Sequence, residues 1–335
     1  MAAKHVQELS ISVRFVRAAL KHVSRMGADP IAILRKNRIS PRLLLEEDAR
    51  ISIERFANFQ RSVILATGDE ASGYAARPLS PGTWEMMCYA VINCTTLEEA
   101  LHRLCRFFVV LNCGIHCALI TQREHSFITF NYTEKPSRYG TSTFFFYVHR
   151  FASWLIEARF PLVEVCLQGK PWAQAIDYRH MFQGSRVEFE QSENRMVFSS
   201  TFLEKPVKQN EQTLKRFLRH PALTLMTLDL RQSSWTAKVR EILRRDLAHM
   251  PELTDVSELL HVHPQTLRRR LAAEGSSYKE LKNQLRRDTA LHYLSKRGLS
   301  IEEVAHRAGF SESSAFIRAF KAWTGVTPYT YRKGL

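Results

Sequence analysis

The 335-residue sequence predicts an α+β domain followed by an all-α domain in which a linker helix joins two helix-turn-helix units. Three observations carry that prediction. Strand-like and helix-like segments are mixed up to about residue 205. Everything after about Asn210 has helical periodicity without a strand signal. After Trp235, a short helix, a tight turn and a second helix occur twice in succession. Residues 1–205 are therefore read as one domain, 206–234 as a linker broken by Pro206, Pro221, Ser233 and Ser234, and 235–335 as a second domain.

In the first domain, Asp29 before Pro30 and Ser40 before Pro41 each place a capping side chain ahead of a proline at the first helical position, so a short helix should follow both. Thr96 and Glu99 have the spacing of a capping box. The helix after them repeats Leu97, Ala100, Leu101, Leu104 and Phe108 along one face. The runs HCALITQ, HSFITFNY, LVEVCLQ, SRVEFE and NRMVFSS are short, rich in β-branched and aromatic residues and bounded by turn residues, as strands are. The aromatic stretch TSTFFFYVHRFASWLIEARF separates them as a helix, and the linker holds a short helix at 210–219.

In the second domain, Val239, Ile242, Leu243 and Leu247 stripe a first helix that ends before Pro251, and Leu253, Val256, Leu259 and Leu260 stripe a second. After the turn at His261, Val262 and His263, Pro264 starts a third helix. Its Leu267 and Leu271, one turn apart, point at the core and leave Gln265, Arg268 and Arg269 facing out. An apolar inner edge with an Arg and Gln outer edge is what reading a DNA major groove requires. Residues 278–296 read as one continuous helix. Ser300 and Glu303 then box a helix that Gly309 ends, and Ser311 is placed as the cap of the next. There Phe316 and Phe320 face inward, while Ser313, Ser314, Ile317, Arg318 and Lys321 face out; Thr327 caps and Pro328 starts the last helix.

The formal charge of +15 points to a polyanionic partner, with nucleic acid ahead of a membrane surface. From Trp235 onward, eighteen Lys or Arg face eleven Asp or Glu, so +7 of the total sits in the last 101 residues, about twice the density of the rest. No apolar run of about 18 residues offers a membrane span, and the first residues lack the features of a secretory signal, so a cytoplasmic protein is expected. The six cysteines lie in apolar surroundings without a CxxC pair and read as buried, reduced thiols. His102, His116, Cys113 and Cys117 are the one group with metal-like spacings, but His102 lies a turn or more from the others; no metal, cofactor or catalytic residue is expected.

The run IEEVAHRAGFSESSAFIRAFKAWTGVTPYTYR, residues 301–332, resembles the C-terminal signature of the AraC/XylS family of transcriptional regulators: GF, F-x-R-x-F-K, then G-x-TP-x-x-YR. The segment HVHPQTLRRRLAAEGSSYKELKNQLRRDTALHYL is similar to the same family's first helix-turn-helix unit and linker helix. The resemblance implies base contacts from the outer faces of the third and sixth helices, on Gln265, Arg268 and Arg269 and on Ser313, Ser314 and Arg318. Small hydroxyls discriminate bases weakly, and Ser313 and Ser314 also serve simply as helix starters. Lys282, Arg286 and Lys321 are candidates for phosphate contacts, which position without specifying.

The cues TGDEASGYAAR, PGTWEMMCYAVINCTTLEEAL and HMFQGSRVEFEQSENRMVFSSTFLEKPV resemble the ligand-binding, arabinose-binding-like N-terminal domain of one subgroup of that family. The resemblance implies a sequence-specific regulator, more often an activator, with promoter DNA and RNA polymerase as partners, a small-molecule effector of unstated class and a homodimer held by the first domain. Trp84, Tyr89, Tyr147, Arg150 and Trp154, with Trp172, are candidate effector-pocket residues, although aromatic residues of this kind also build plain core. Two rival readings remain: an enzyme with a DNA-binding appendage and a reactive cysteine, and a basic architectural binder without sequence preference.

Overall fold

The computed structural model describes residues 10–47, 49–133, 138–228, 235–245, 247, 250–274, 276–296 and 298–333. Strand β1 (Ser10–Ser12) leads directly into α1 (Val13–Arg25), and α2 (Pro30–Lys36) and a 3-10 turn (Pro41–Leu45) follow the two prolines. Next come β2 (Arg50–Ser52), α3 (Ile53–Thr67), α4 (Thr83–Val91), α5 (Leu97–Leu111), β3 (Ile115–Ile120), β4 (His125–Tyr132) and α6 (Arg138–Leu155). Then β5 (Leu162–Cys166), α7 (Ala175–Met181), β6 (Arg186–Glu188) and β7 (Arg195–Ser199) precede α8 (Glu211–Phe217) and α9 (Pro221–Thr227). The rest is helical: α10 (Trp235–Arg245), α11 (Leu253–Leu259), α12 (Pro264–Ala273), α13 (Tyr278–Leu294), α14 (Ile301–Arg307), α15 (Ser313–Thr324) and α16 (Pro328–Lys333). Among the described residues, no helix is long and apolar enough to cross a membrane.

The chain divides into two compact units. The described part of one comprises residues 10–17, 30–59 and the helices from 235 onward; that of the other comprises 18–29 and 60–228.

The second of these is α+β. Its five-stranded sheet has the order β3-β4-β7-β5-β6, antiparallel except for the β5–β6 pair. Strand β3 alternates strictly, with Ile115, Cys117 and Leu119 buried, and packs under α5, whose Leu97, Ala100, Leu101, Leu104 and Phe108 are buried as the periodicity predicts. The box before α5 is only half formed. Thr96 accepts from the Glu99 N–H, but Glu99 turns back to the Thr95 N–H at 2.9 Å rather than to Thr96. Helix α6 is buried all round, with Phe144, Phe145, Val148 and Phe151 in its core face, so its polar side chains must bond locally. Ser142 and Ser153 do so to carbonyls one turn back, at 3.0 Å each.

His149, on the same helix, sits 2.7 Å from the Phe160 carbonyl oxygen, and its other ring nitrogen is buried without a hydrogen-bond partner among the described residues. Burial, reinforced by the Arg150 charge, pushes its pKa down from 6.5 to about 3. A lowered folded pKa means that the neutral ring's stability is present above 6.5 and is lost as pH falls toward 3, at up to about 1.4 kcal/mol per pH unit. His149→Gln is therefore expected to flatten the acid limb of a thermal-unfolding profile across that window. An unchanged profile would show that the ring charges freely.

The TGDEASGYAAR loop is organised by Asp69, whose side chain is 2% exposed. Its carboxylate accepts the N–H groups of Ala71 (2.9 Å), Gly73 (3.1 Å) and Leu79 (2.9 Å). Nε2 of His22 lies 2.9 Å from Oδ2. Glu70 then accepts the Trp84 N–H at 2.8 Å, which serves an orphan donor at the start of α4.

In the other unit, β1 pairs antiparallel with β2, and the pair adjoins α13: Ser10 Oγ bonds Asp288 at 2.5 Å, and Arg50 bonds the Ser10 hydroxyl and carbonyl at 3.0 and 2.8 Å. Neither three-residue strand is visible in the sequence pattern. Val239, Leu243, Met250, Val256, Leu267, Leu271, Leu281 and Leu285 form one continuous core across α10 to α13. A second centres on Phe316 and Phe320, ringed by Phe310 and Tyr331 at 5.5–5.7 Å between centroids. Four expectations are corrected here. Helix α13 ends at Leu294 rather than at 296, and the helix expected at 210–219 is α8, Glu211–Phe217. Leu259, placed on an inner stripe, is 61% exposed. The cap of α15 is Glu312, not Ser311, and no side chain closes it.

Candidate nucleic-acid interface

Helices α11 and α12 meet at a turn in which His261 adopts φ 52°. His263 caps α12 by accepting the Gln265 N–H at 3.2 Å, and Pro264 fills the first helical position. Leu267 and Leu271 are fully buried, whereas Gln265, Arg268, Arg269 and Arg270 are exposed. Arg268 Nη1 donates to Gln265 Oε1 at 3.3 Å, which holds the two side chains together on the outer face. Arg270 does different work. Its guanidinium stacks over Trp235 at 4.1 Å, and the neighbouring Glu274 accepts the N–H groups of Trp235 and Thr236 at 2.8 and 2.9 Å. This end of α12 thereby closes the start of α10.

The second helix pair is α14 and α15. Ser300 and Glu303 form a reciprocal capping box, at 3.0 and 2.6 Å, and Gly309 ends the segment with φ 80°. On α15, Phe316 and Phe320 are fully buried while Ser314, Arg318 and Lys321 are exposed and Ser313 is half-buried. Ser314 Oγ donates to Glu312 at 3.3 Å. Helix α13, 17 residues or about 25 Å long at 1.5 Å per residue, joins the two pairs. The Thr330 N–H donates to Thr327 Oγ1 at 3.2 Å, the expected cap of α16.

The three phosphate candidates differ in what already holds them. Lys321 is exposed. Lys282 Nζ lies 2.8 Å from Glu252, with its side chain only 17% exposed. Arg286 lies 5.0 Å over the Phe310 ring, and burial lowers the pKa of its guanidinium. Lys282 and Arg286 thus already have contacts that a phosphate must replace. Sequence spacing gave no sign of the Glu252 pairing, since the partners lie on different helices.

In the α+β unit, the structure gathers Trp84, Tyr147 and Trp154 around Phe151: Trp84 lies 5.8 Å from Tyr147 and 5.5 Å from Phe151, and Trp154 stacks on Phe151 and Phe217 at 5.6 and 4.5 Å. Tyr147 donates to Gln60 at 3.2 Å, and Arg150, on the same helix, donates to the Leu228 carbonyl at 3.1 Å. Tyr89 is half-buried on α4. Trp84 and Tyr147 pack ring to ring, and Trp154 stacks on its aromatic neighbours. An open cleft exists elsewhere in this unit, and of the aromatic candidates it takes in Trp172. All six cysteines are buried and free.

One unit is α+β, and the other is largely helical and carries a basic helix face over an apolar core. Residues 27–207 match the family described as the arabinose-binding domain of AraC transcription regulator, N-term, and residues 256–334 match a helix-turn-helix domain. The chain belongs to the AraC family of transcriptional regulators, with a helix-turn-helix DNA-binding domain and an N-terminal domain of the ligand-binding type. It is 26% identical to the ornithine utilization regulator of Pseudomonas aeruginosa over 96% of both chains. It is likewise 26% identical to the HTH-type transcriptional regulator VirS of Mycobacterium tuberculosis over 92% of both. Among solved structures, the transcriptional regulator CdpR of Pseudomonas aeruginosa aligns at 21% identity over 84% of this chain and 87% of that one, with a TM-score of 0.32.

Proposed function

We propose that the chain is a sequence-specific transcriptional activator whose promoter binding is controlled by a small molecule held in the α+β unit. In this reading α11–α12 and α14–α15 are two helix-turn-helix units joined by α13. Along the sequence, residues 235–335 are the DNA-binding domain, 206–234 the linker and 1–205 the effector and dimerisation domain, although residues 10–17 and 30–59 of the last belong to the helical unit in the structure. The protein works in the cytoplasm as a homodimer beside RNA polymerase. The observation that carries the reading is the exposed Gln265, Arg268 and Arg269 edge directly opposite buried Leu267 and Leu271, because long bidentate side chains on a rigid helix are what base discrimination needs. On α15, Arg318 is the base candidate of greatest reach, Ser313 and Ser314 add weak contacts, and Lys321 takes a phosphate. Lys282 and Arg286 reach phosphates only by releasing Glu252 and Phe310. Control follows if the effector favours the domain arrangement that fits adjacent half-sites.

Arg268→Ala should weaken binding to the preferred site by about 1–3 kcal/mol and relax preference at one base position. Binding selection on random duplexes checks this; an unchanged preference would remove Arg268 from the readout. Burial raises the Cys88 and Cys117 thiols well above their ordinary range, which suppresses the nucleophilic thiolate at those two positions.

A further inference from the structure

The α+β unit holds a cleft of about 550 Å³, its open mouth included, beside the first turn of α6. One wall is aromatic and already fixed. Trp172 stands edge-on to Tyr139 and Tyr178, at 5.3 and 6.2 Å, and Tyr178 packs on Phe189 at 4.8 Å. The indole N–H donates to Ser142 at 3.2 Å, and the Tyr178 hydroxyl accepts the Trp172 backbone N–H at 3.0 Å. Binding therefore needs little rearrangement of this wall.

Two features give the cleft a polarity. The Tyr132 hydroxyl lines it, buried beside the Thr141 side chain, which lines the same cleft. Arg138 stands at the rim. Its stem packs over Gly169, where an added Cβ would meet Arg138 Cγ at 2.9 Å, and its Nη1 donates to the Lys170 and Pro171 carbonyls at 3.2 and 3.4 Å. Those bonds hold one edge of the guanidinium and leave the other without a hydrogen bond to a described residue. Lys170 adds a second positive charge, tied only loosely to Glu190 at 3.9 Å across an exposed pair.

We propose that this cleft binds a small organic carboxylate with an apolar or aromatic body, the body against Trp172 and Tyr178 and the carboxylate on the guanidinium of Arg138. The Tyr132 hydroxyl supplies a further donor. A planar guanidinium at a mostly apolar pocket is the arrangement that selects a carboxylate from its uncharged isostere, through paired N–H bonds. The assignment rests on the reading that the α+β unit holds the effector, and it names the effector's chemical class and its seat.

Titration calorimetry on the full chain with benzoate, phenylacetate and hexanoate, each beside its primary amide, tests it. At least one acid is expected to bind about tenfold tighter than its amide, the size of one charge-assisted contact. Arg138→Gln should erase that ratio, Arg138→Lys should restore part of it, and Trp172→Leu should weaken every acid that binds. Acid and amide binding alike, or no acid binding at millimolar concentration, would overturn the proposal even if Arg138→Gln fails to fold. A ratio that survives in folded Arg138→Gln would overturn it too. The affinity of the chain for its selected duplex is measured in parallel. Carboxylate binding that leaves DNA affinity untouched overturns effector control while the pocket assignment stands.

Discussion

Asp69→Ala is expected to lower the stability of the α+β unit by about 3–5 kcal/mol, because it strands three buried backbone N–H groups and leaves the buried His22 ring without its carboxylate neighbour. A domain stable by about 5–15 kcal/mol loses a large share of its margin, and the melting temperature should fall by roughly 10 °C. Asp69→Asn keeps an acceptor but not the charge and should lie between. Burial raises the Asp69 pKa, but His22 and the backbone donors outweigh it, so the net shift is downward. Stability from a lowered carboxylate is present above its ordinary pKa of 3.8 and is lost as pH falls through the folded value. The Asp69→Ala deficit should therefore shrink in acid. Differential scanning calorimetry at neutral and acid pH checks both parts, and a melting temperature equal to wild type at neutral pH would mean that the loop is held by other contacts.

The second large effect falls in the helical unit. Gly309 has φ 80°, and a Cβ there would sit inside the van der Waals contact of the Leu247 carbonyl oxygen, with Arg286 Nε 3.4 Å away. Gly309→Ala thus combines left-handed strain of about 1–3 kcal/mol with a clash against backbone that cannot rotate aside. Gly298 provides the internal control: its φ is 94°, but no atom of the described residues lies within 4 Å of an added Cβ. Gly309→Ala should cost at least about 2 kcal/mol more than Gly298→Ala and should lower DNA affinity with it. Equal losses in chemical unfolding of the two variants would show that strain alone is at work.

How much of this was legible depended on whether the deciding partner was local. Thr96, Ser300 and Pro264 announce helix starts because the cap and the donors it serves lie within four residues, and β3 and β4 announce themselves by alternation and β-branching. The inner and outer faces of α12 follow from the same 3.6-residue period that buries Leu267 and Leu271. Strands β1 and β2 were invisible, since three residues carry no period and their pairing spans forty positions. The same holds for Lys282, whose partner Glu252 is thirty residues upstream, and for Arg286, whose ring neighbour Phe310 is on another element. Aromatic composition pointed to Trp84, which packs on Tyr147 and Phe151, and to Trp154, which stacks on Phe151, whereas the cleft at Trp172 exists because the sheet and α6 bring residues from Tyr132 to Asn194 together. Packing between distant segments, not local pattern, separates a filled aromatic cluster from an open one.

In the proposed function, the Gln265, Arg268 and Arg269 edge reads sequence. Selection of bound duplexes from a random library by the wild-type chain, followed by competition of the enriched site against random DNA at physiological salt, tests it most directly. Enrichment of a defined site bound at least about a thousandfold tighter than random DNA is expected. A library that emerges without enrichment, with the selected and random duplexes competing equally, would contradict it and leave a basic binder without sequence preference.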